Sequence, residues 1–234
     1  MLNQFSRLET LIGRESLEKL FGKHVAIFGL GGVGGFTAEA LARCGIGKFD
    51  LIDSDKVDLT NLNRQIYALH STVGKYKVDV AEQRILDINP DAEITKHQIF
   101  YTNDVSFDFS KYDYVIDAID TVSAKISIIE ECKKNNIPVI SAMGAGNKMN
   151  PLDFRVDDIS KTTMCPLAKV IRQELKKRKI SKVKVVYSIE PPTKSVMENE
   201  KGSIKKRTPS SNSFCPSVMG LIIASEVVKD IIKK

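Results

Sequence analysis

Short apolar runs and stretches of helical periodicity take turns along the first two thirds of the chain. Residues 25–28 (Val-Ala-Ile-Phe) and 114–116 are apolar runs of strand length, and 49–52 reads as a further strand. Between them, 37–44, 74–88 and 124–135 space their apolar residues by three and four, the mark of helices buried on one face. Gly45 ends the first of these helices and Asn89-Pro90 stops the second. Residues 93–98 alternate like a strand, and 138–141 begin another. Ahead of all of them, 8–20 reads as one short amphipathic helix carried by Leu8, Leu11, Ile12 and Leu17.

Strands alternating with helices predict an α/β fold, a doubly wound, Rossmann-like and mostly parallel sheet. In such sheets the loops at the carboxyl ends of the strands form the ligand crevice. The last third is less regular and reads as a C-terminal β/α extension. Strands at 153–156 and 183–187 flank a very basic helix at 167–179, and an apolar helix at 217–232 packs back on the sheet. Between them 190–212 is rich in Pro, Lys, Ser and Glu, which predicts a mobile surface loop. The expected organisation is a core over 1–150 and a basic extension over 151–234 packed on the same domain.

The chemistry begins where the first strand ends. Gly29, Gly31 and Gly34 form a G-x-G-x-x-G loop, with Gly32 as an extra glycine inside it. Glycines allow close backbone approach to phosphate, and the helix that follows offers amide donors. Asp53 falls at about the distance expected of a ribose-binding acid. On these residues alone a NAD-dependent oxidoreductase is the natural reading. Downstream residues change it: Asp53-Ser54-Asp55, then Asn61 and Arg64, then Lys77, then Asp117-Ala118-Ile119-Asp120. Attack on an α-phosphate needs cations, because negative charge grows on the phosphoryl oxygens and on departing pyrophosphate. Arg64 offers a fork of donors and Lys77 a point charge. Asp120 suits a Mg²⁺ ion bridging the phosphates. The Gly loop, Asp53, Asp117 and Asp120 all fall at strand ends, so topology brings them to one ligand. His70, just after Arg64, is the one histidine placed to be a phosphate contact.

Charge then sets the partner. The net charge of +6 is uneven: 161–207 holds 14 Lys/Arg against 4 Asp/Glu, and the rest 21 against 25. Such asymmetry points to a polyanion. The four cysteines, Cys44, Cys132, Cys165 and Cys215, form no C-x-x-C pair, which argues against a zinc knuckle or disulfide framework. Cys165 and Cys215 precede prolines at expected helix starts, where a thiol pKa is lowered. The first residues lack an apolar core of signal-peptide length. The late apolar stretch, 218–228, is interrupted by Ser225 and Glu226 and is too short to span a bilayer. The expectation is a cytoplasmic protein with no membrane partner.

Taken together, Gly29-x-Gly-Gly-x-Gly34, Asp53-x-Asp55, Asn61-x-x-Arg64-Gln65, Lys77 and Asp120 resemble the adenylation domain of ubiquitin-activating enzymes and bacterial activators of sulfur-carrier proteins. The resemblance implies ATP and Mg²⁺ as cofactors, and Arg64, Lys77 and Asp120 as catalytic. It also implies a homodimer in which Arg7, in Phe5-Ser6-Arg7, reaches the neighbouring subunit's ATP. Within that superfamily the chain resembles the bacterial tRNA threonylcarbamoyladenosine dehydratases over nearly its whole length. That likeness rests on Asn61-x-Asn-Arg-Gln-Ile66, Asp117-Ala-Ile-Asp120, Met143-Gly-Ala-Gly146, Ser160-Lys-Thr162, Pro166-Leu-Ala-Lys169, Ser211-Asn212 and Pro216-Ser217. It implies that ATP activates the threonyl carboxylate of a modified tRNA adenosine and that the neighbouring carbamoyl group closes a ring, releasing AMP. Lys176, Lys177, Arg178, Lys179, Lys205, Lys206 and Arg207 would then meet tRNA phosphates. Adenylation of a sulfur-carrier or ubiquitin-like protein stays open as an alternative, though the zinc cysteines common there are missing. A non-catalytic nucleic-acid-binding module also stays open. So does the docking of a sulfur-transfer partner protein.

Overall fold

The computed structural model describes residues 2–193 and 209–233. Seven strands form one sheet in the order β3-β2-β1-β4-β5-β7-β6. The parallel members are β1 (His24–Phe28), β2 (Lys48–Ile52), β3 (Glu93–His97), β4 (Tyr114–Asp117), β5 (Val139–Ala142) and β7 (Lys184–Ser188). Only β6 (Phe154–Asp158) runs antiparallel, paired along β7. The strand order turns at β1, with β2 on one side and β4 on the other. That switch point is where an open α/β sheet leaves its ligand crevice.

The helices are α3 (Gly34–Arg43), α4 (Lys77–Ile88), α5 (Val122–Lys134), α6 (Pro166–Lys177) and α7 (Phe214–Ile232). Helices α3, α4 and α7 share one buried apolar cluster with β1, β2, β4 and β5. Gly220 of α7 lies so close to α3 that a Cβ there would stand 2.4 Å from the Val33 carbonyl oxygen. The sequence from 151 on therefore adds two strands to the same sheet and a helix to the same core. Among the described residues no helix is long and apolar enough to cross a membrane.

Two helices depart from the sequence reading. The expected single helix over 8–20 is two helices, α1 (Ser6–Ile12) and α2 (Arg14–Phe21), broken at Gly13. Gly13 adopts φ +83°, which breaks the helical path although the apolar spacing continues across it. The crossover from β3 to β4 contains no helix. An irregular strap over 98–113 covers that face of the sheet with rings instead. Phe28 of β1 stacks on Phe109 with centroids 5.5 Å apart, and Tyr101 and Phe107 meet it edge-on. Helix α4 also begins at Lys77, three residues later than the apolar spacing suggested.

Beside the strap, Asp50 is fully buried in β2 and accepts hydrogen bonds from four side chains. His24 Nε2, His97 Nε2, Lys111 Nζ and Tyr112 Oη lie 2.7, 2.8, 2.8 and 2.6 Å from its oxygens. Burial alone would raise this carboxyl; the four donors overcome it and hold it at about 2.

Candidate active site

The strand ends converge on one cavity of about 860 Å³. Its walls come from the loops after β1, β2, β4 and β5 and from the first turns of α4, α6 and α7. Nine of the residues singled out from sequence line it: Gly29, Gly31, Gly32, Asp53, Asp55, Asn61, Arg64, Lys77 and Asp120.

The glycine loop is shaped by two close approaches. Gly29 takes φ +88°, and a Cβ on it would meet the Ala118 carbonyl at 2.8 Å. A Cβ on Gly34 would stand 1.8 Å from the Gly29 carbonyl oxygen. Gly34 thus closes the turn from behind and does not itself line the cavity. Asp53 fixes the loop from the side. One of its oxygens accepts the Leu30 amide at 2.6 Å and the other the Asp55 amide at 2.8 Å. Burial pushes its carboxyl above the usual value, against the Lys77 ammonium 3.9 Å away and both amides.

Lys77 stands at the first position of α4, almost wholly buried, with Nζ 2.7 Å from Asp55 Oδ2. Arg64 follows a 3-10 turn over Leu59–Asn61, whose start is fixed by reciprocal capping between Asp58 and Asn61. The Arg64 guanidinium donates to two neutral acceptors, the Thr60 carbonyl at 2.9 Å and Asn63 Oδ1 at 3.0 Å. Among the described residues no carboxylate neutralises it. Gln65, buried in the same wall, has an Oε1 with no hydrogen-bond partner. An orphaned acceptor beside the glycine loop fits a ligand that brings a hydroxyl or amine donor, as a nucleoside does.

Asp117 and Asp120 part company. Asp120 is exposed in the cavity wall. Asp117, expected beside it, is fully buried behind the site: Lys125 Nζ of α5 lies 3.0 Å from both of its oxygens, and Ser141 donates to it as well. It anchors the end of β4 and does not reach the ligand space. Arg7 is exposed on α1 and lines no part of its own chain's cavity, and neither does His70. The helix-start argument for Cys215 is corrected. Burial pushes its thiol up, against Asn212 and the nearby Lys148 ammonium.

The basic helix end is less free than its composition implied. Lys176, Lys177, Arg178 and Lys179 are all exposed. Arg178 pairs with Glu130 at 3.0 Å and Glu174 at 2.7 Å, and Lys177 also pairs with Glu174. Lys205, Lys206 and Arg207 lie outside the described residues, as does most of the loop expected over 190–212. Arg178 and Asp120 line a second cavity of about 700 Å³, so the basic end of α6 and the nucleotide cavity meet at Asp120.

Several wall residues escaped the sequence reading as individuals. Gly144 and Gly146 line the cavity from the β5 loop, and so does Lys148, which is buried. A glycine-rich stretch after a strand was visible there, but the partners that bury Lys148 lie more than forty residues away in sequence.

The ThiF family model matches residues 5–234. The chain belongs to that family. Among its relatives is the tRNA threonylcarbamoyladenosine dehydratase of Bacillus subtilis, 50% identical over 244 residues that cover all of this chain and 96% of that protein. The corresponding dehydratase of Haemophilus influenzae is 36% identical, over 99% of this chain and 94% of that one. The fold is similar to crystal structures of the Escherichia coli tRNA N6-threonylcarbamoyladenosine dehydratase in complex with ATP and with AMP. Their TM-scores are 0.87 and 0.88, at 34% identity, covering 98% of this chain and 94% of theirs. The doubly wound reading, the adenylating family and the whole-chain likeness inferred from sequence all hold.

Proposed function

We propose that this chain is an ATP-dependent, AMP-forming dehydratase that cyclises N6-threonylcarbamoyladenosine in tRNA. The observation that carries this is the single cavity that gathers the glycine loop, Arg64, Lys77 and Asp120 in a chain half identical, end to end, to such an enzyme.

The residues divide the work. Loop amides and the start of α3 receive the phosphates. Gln65, whose Oε1 lacks a hydrogen-bond partner, belongs to the same wall as the glycine loop. Arg64, with no carboxylate partner among the described residues, meets the α-phosphate as it takes on charge. Lys77 exchanges its Asp55 contact for a phosphoryl oxygen. The threonyl carboxylate attacks the α-phosphorus, forming a C–O–P linkage, and the bond to the β-phosphate breaks with its electron pair leaving on pyrophosphate. The carbamoyl group then attacks the activated carbonyl, loses a proton and releases AMP. This ring closure needs no protein nucleophile, because attacker and electrophile are already tethered. The buried, upward-shifted Cys215 thiol fits that economy.

Among the described residues no cluster of three or more His, Cys, Asp or Glu could hold a metal by itself. Mg²⁺ commonly binds through one or two carboxylates plus substrate phosphates, so Asp120 alone suffices for an ion arriving with ATP. Such an ion would neutralise phosphoryl oxygens. The exposed Arg7 supports a homodimeric reading, in which it completes the nucleotide site of a second copy. Exposed Lys176 and Lys179 have no carboxylate within ion-pair distance among the described residues, and they support a tRNA backbone contact.

The test is incubation of the protein with ATP, Mg²⁺ and threonylcarbamoyl-modified tRNA, followed by mass analysis of the nucleoside. Loss of one water from the base with stoichiometric AMP is the expected result. Unchanged nucleoside with no AMP overturns the reading.

A further inference from the structure

Among the described residues three lysines are buried: Lys77, Lys125 and Lys148. Two are neutralised, Lys77 by Asp55 at 2.7 Å and Lys125 by Asp117 at 3.0 Å. Lys148, only 3% exposed, is not. Its Nζ donates to the backbone carbonyl of Glu190, a neutral acceptor, and among the described residues no carboxylate lies within ion-pair distance. The carboxylate of Glu190 itself is turned to the backbone that follows Lys148. It accepts the Met149 amide at 3.0 Å and the Asn150 amide at 3.0 Å. The Lys148 backbone is fixed as well, its carbonyl receiving Asn212 Nδ2 at 2.7 Å and Cys215 Sγ at 3.4 Å.

A buried ammonium without a counter-charge is strongly disfavoured unless something else supplies the anion. Lys148 lines the nucleotide cavity, so a ligand can supply it. Position in the sheet says which anion. The ribose-side residues Asp53 and Asp55 follow β2, and the glycine loop follows β1. Lys148 follows β5, two strands beyond β1 on the opposite side. At about 4.8 Å between strands, roughly 10 Å separates β1 from β5. The same cavity wall also holds Met143, Cys165, Leu167 and Pro192, apolar surface suited to the body of an acyl substrate.

We propose that Lys148 holds the carboxylate that is to be adenylated, placing it against the α-phosphate. This rests on the function proposed above and assigns the far end of the same cavity to the substrate's anion. Once the carboxylate is activated, the same ammonium faces the carbonyl oxygen on which charge collects during ring closure.

The experiment compares binding of two anticodon stem–loop RNAs in the presence of a non-hydrolysable ATP analogue. One carries the threonylcarbamoyl carboxylate and the other its methyl ester. Wild-type protein should prefer the carboxylate by at least about tenfold, the size of one charge-assisted hydrogen bond. Lys148→Met should bind both RNAs alike while its affinity for ATP stays near wild type, and Lys148→Arg should restore the preference. A wild-type protein that does not distinguish the two RNAs overturns the proposal, whatever the variants do. So does a Lys148→Met variant that keeps the preference, or one that loses ATP affinity far more than AMP affinity, which would place Lys148 at the pyrophosphate end. Turnover separates the two proposals. If wild type converts modified tRNA but ignores esterification, only the role of Lys148 falls. If wild type forms neither product nor AMP, the function itself falls.

Discussion

Replacing Lys125 by methionine should be among the costliest single changes available behind the site. Lys125 is 1% exposed and Asp117 not exposed at all, and Nζ stands 3.0 Å from each carboxylate oxygen. Methionine fills much of the same volume but leaves the carboxylate with the Ser141 hydroxyl as its side-chain donor. Breaking one partner out of a buried pair typically costs about 3–5 kcal/mol, because the remaining charge is stranded. In a domain of this size each kcal/mol lowers the melting temperature by roughly 2–4 °C, so a fall of about 6–20 °C is expected. Urea denaturation followed by circular dichroism measures it directly. Adding Asp117→Asn to the same chain removes the stranded charge and keeps a hydrogen-bond partner for Ser141, so the double variant should regain about 2 kcal/mol or more. A Lys125→Met cost below about 1 kcal/mol, or a double variant no more stable than the single one, would refute the reasoning.

Arg64→Ala and Lys77→Ala should each lower the rate of AMP formation by about 2–4 kcal/mol of lost transition-state stabilisation, roughly thirtyfold to a thousandfold. Melting should barely change for Arg64→Ala, whose guanidinium pairs with no carboxylate among the described residues. Lys77→Ala should melt lower, because the exposed Asp55 can hydrate but the buried Asp53 loses its nearby ammonium. A rate within threefold of wild type would remove either residue from the chemistry. Asp50 carries the acid limb of stability. Its folded carboxyl sits at about 2, below the unfolded value near 3.9. Its contribution of about 2–3 kcal/mol is therefore complete above pH 5 and lost as pH falls toward 2. Asp50→Asn should flatten the urea midpoint between pH 5 and pH 3, and an unchanged slope would contradict the assignment. Lys176→Ala and Lys179→Ala should each reduce the salt slope of tRNA binding by about one phosphate contact. Lys177→Ala, already paired to Glu174, should change it less; equal effects would place the interface elsewhere.

The nucleotide end of the site was legible because it follows strands that are neighbours in the sheet. A glycine loop after β1, Asp53 after β2 and Asp120 after β4 reach one edge by topology alone, without any need to know a side-chain packing. Asp117 shows the limit of that argument. It also ends a strand, but the side chain at the last strand position can turn into the sheet, and a lysine eight residues on holds it there. Lys148 was invisible for the opposite reason. Nothing near it in sequence hints at burial, since its cage is built by Glu190, Asn212 and Cys215. The Gly13 break was hidden because the apolar period runs straight through it, and only the backbone conformation interrupts the helix. The charge count over 161–207 located a basic helix end correctly but could not show that Glu130 and Glu174 had already claimed part of it.

The strap between β3 and β4 has a consequence of another kind. A crossover helix would satisfy its own amides, so that this face would open only together with the sheet. The strap has no such internal ladder. Its backbone makes two isolated internal hydrogen bonds, Val105 to the Thr102 carbonyl and Tyr112 to the Phe109 carbonyl, and one to β1 from the Asp113 amide to the His24 carbonyl. Side chains supply most of the fastening, with rings clustered on Phe28, and Tyr112 and Lys111 tied to Asp50. Its amides should exchange with solvent through a local opening of low free energy while those of β1 and β4 beneath it stay protected. Since Ile99, Phe100 and Tyr101 belong both to this strap and to the cavity wall, each such opening also unmakes one side of the nucleotide pocket. Nucleotide that touches this wall would hold the strap down, and the occupied protein would lose its weakest seam. Slowed exchange confined to 98–113 would be the mark of a filled site.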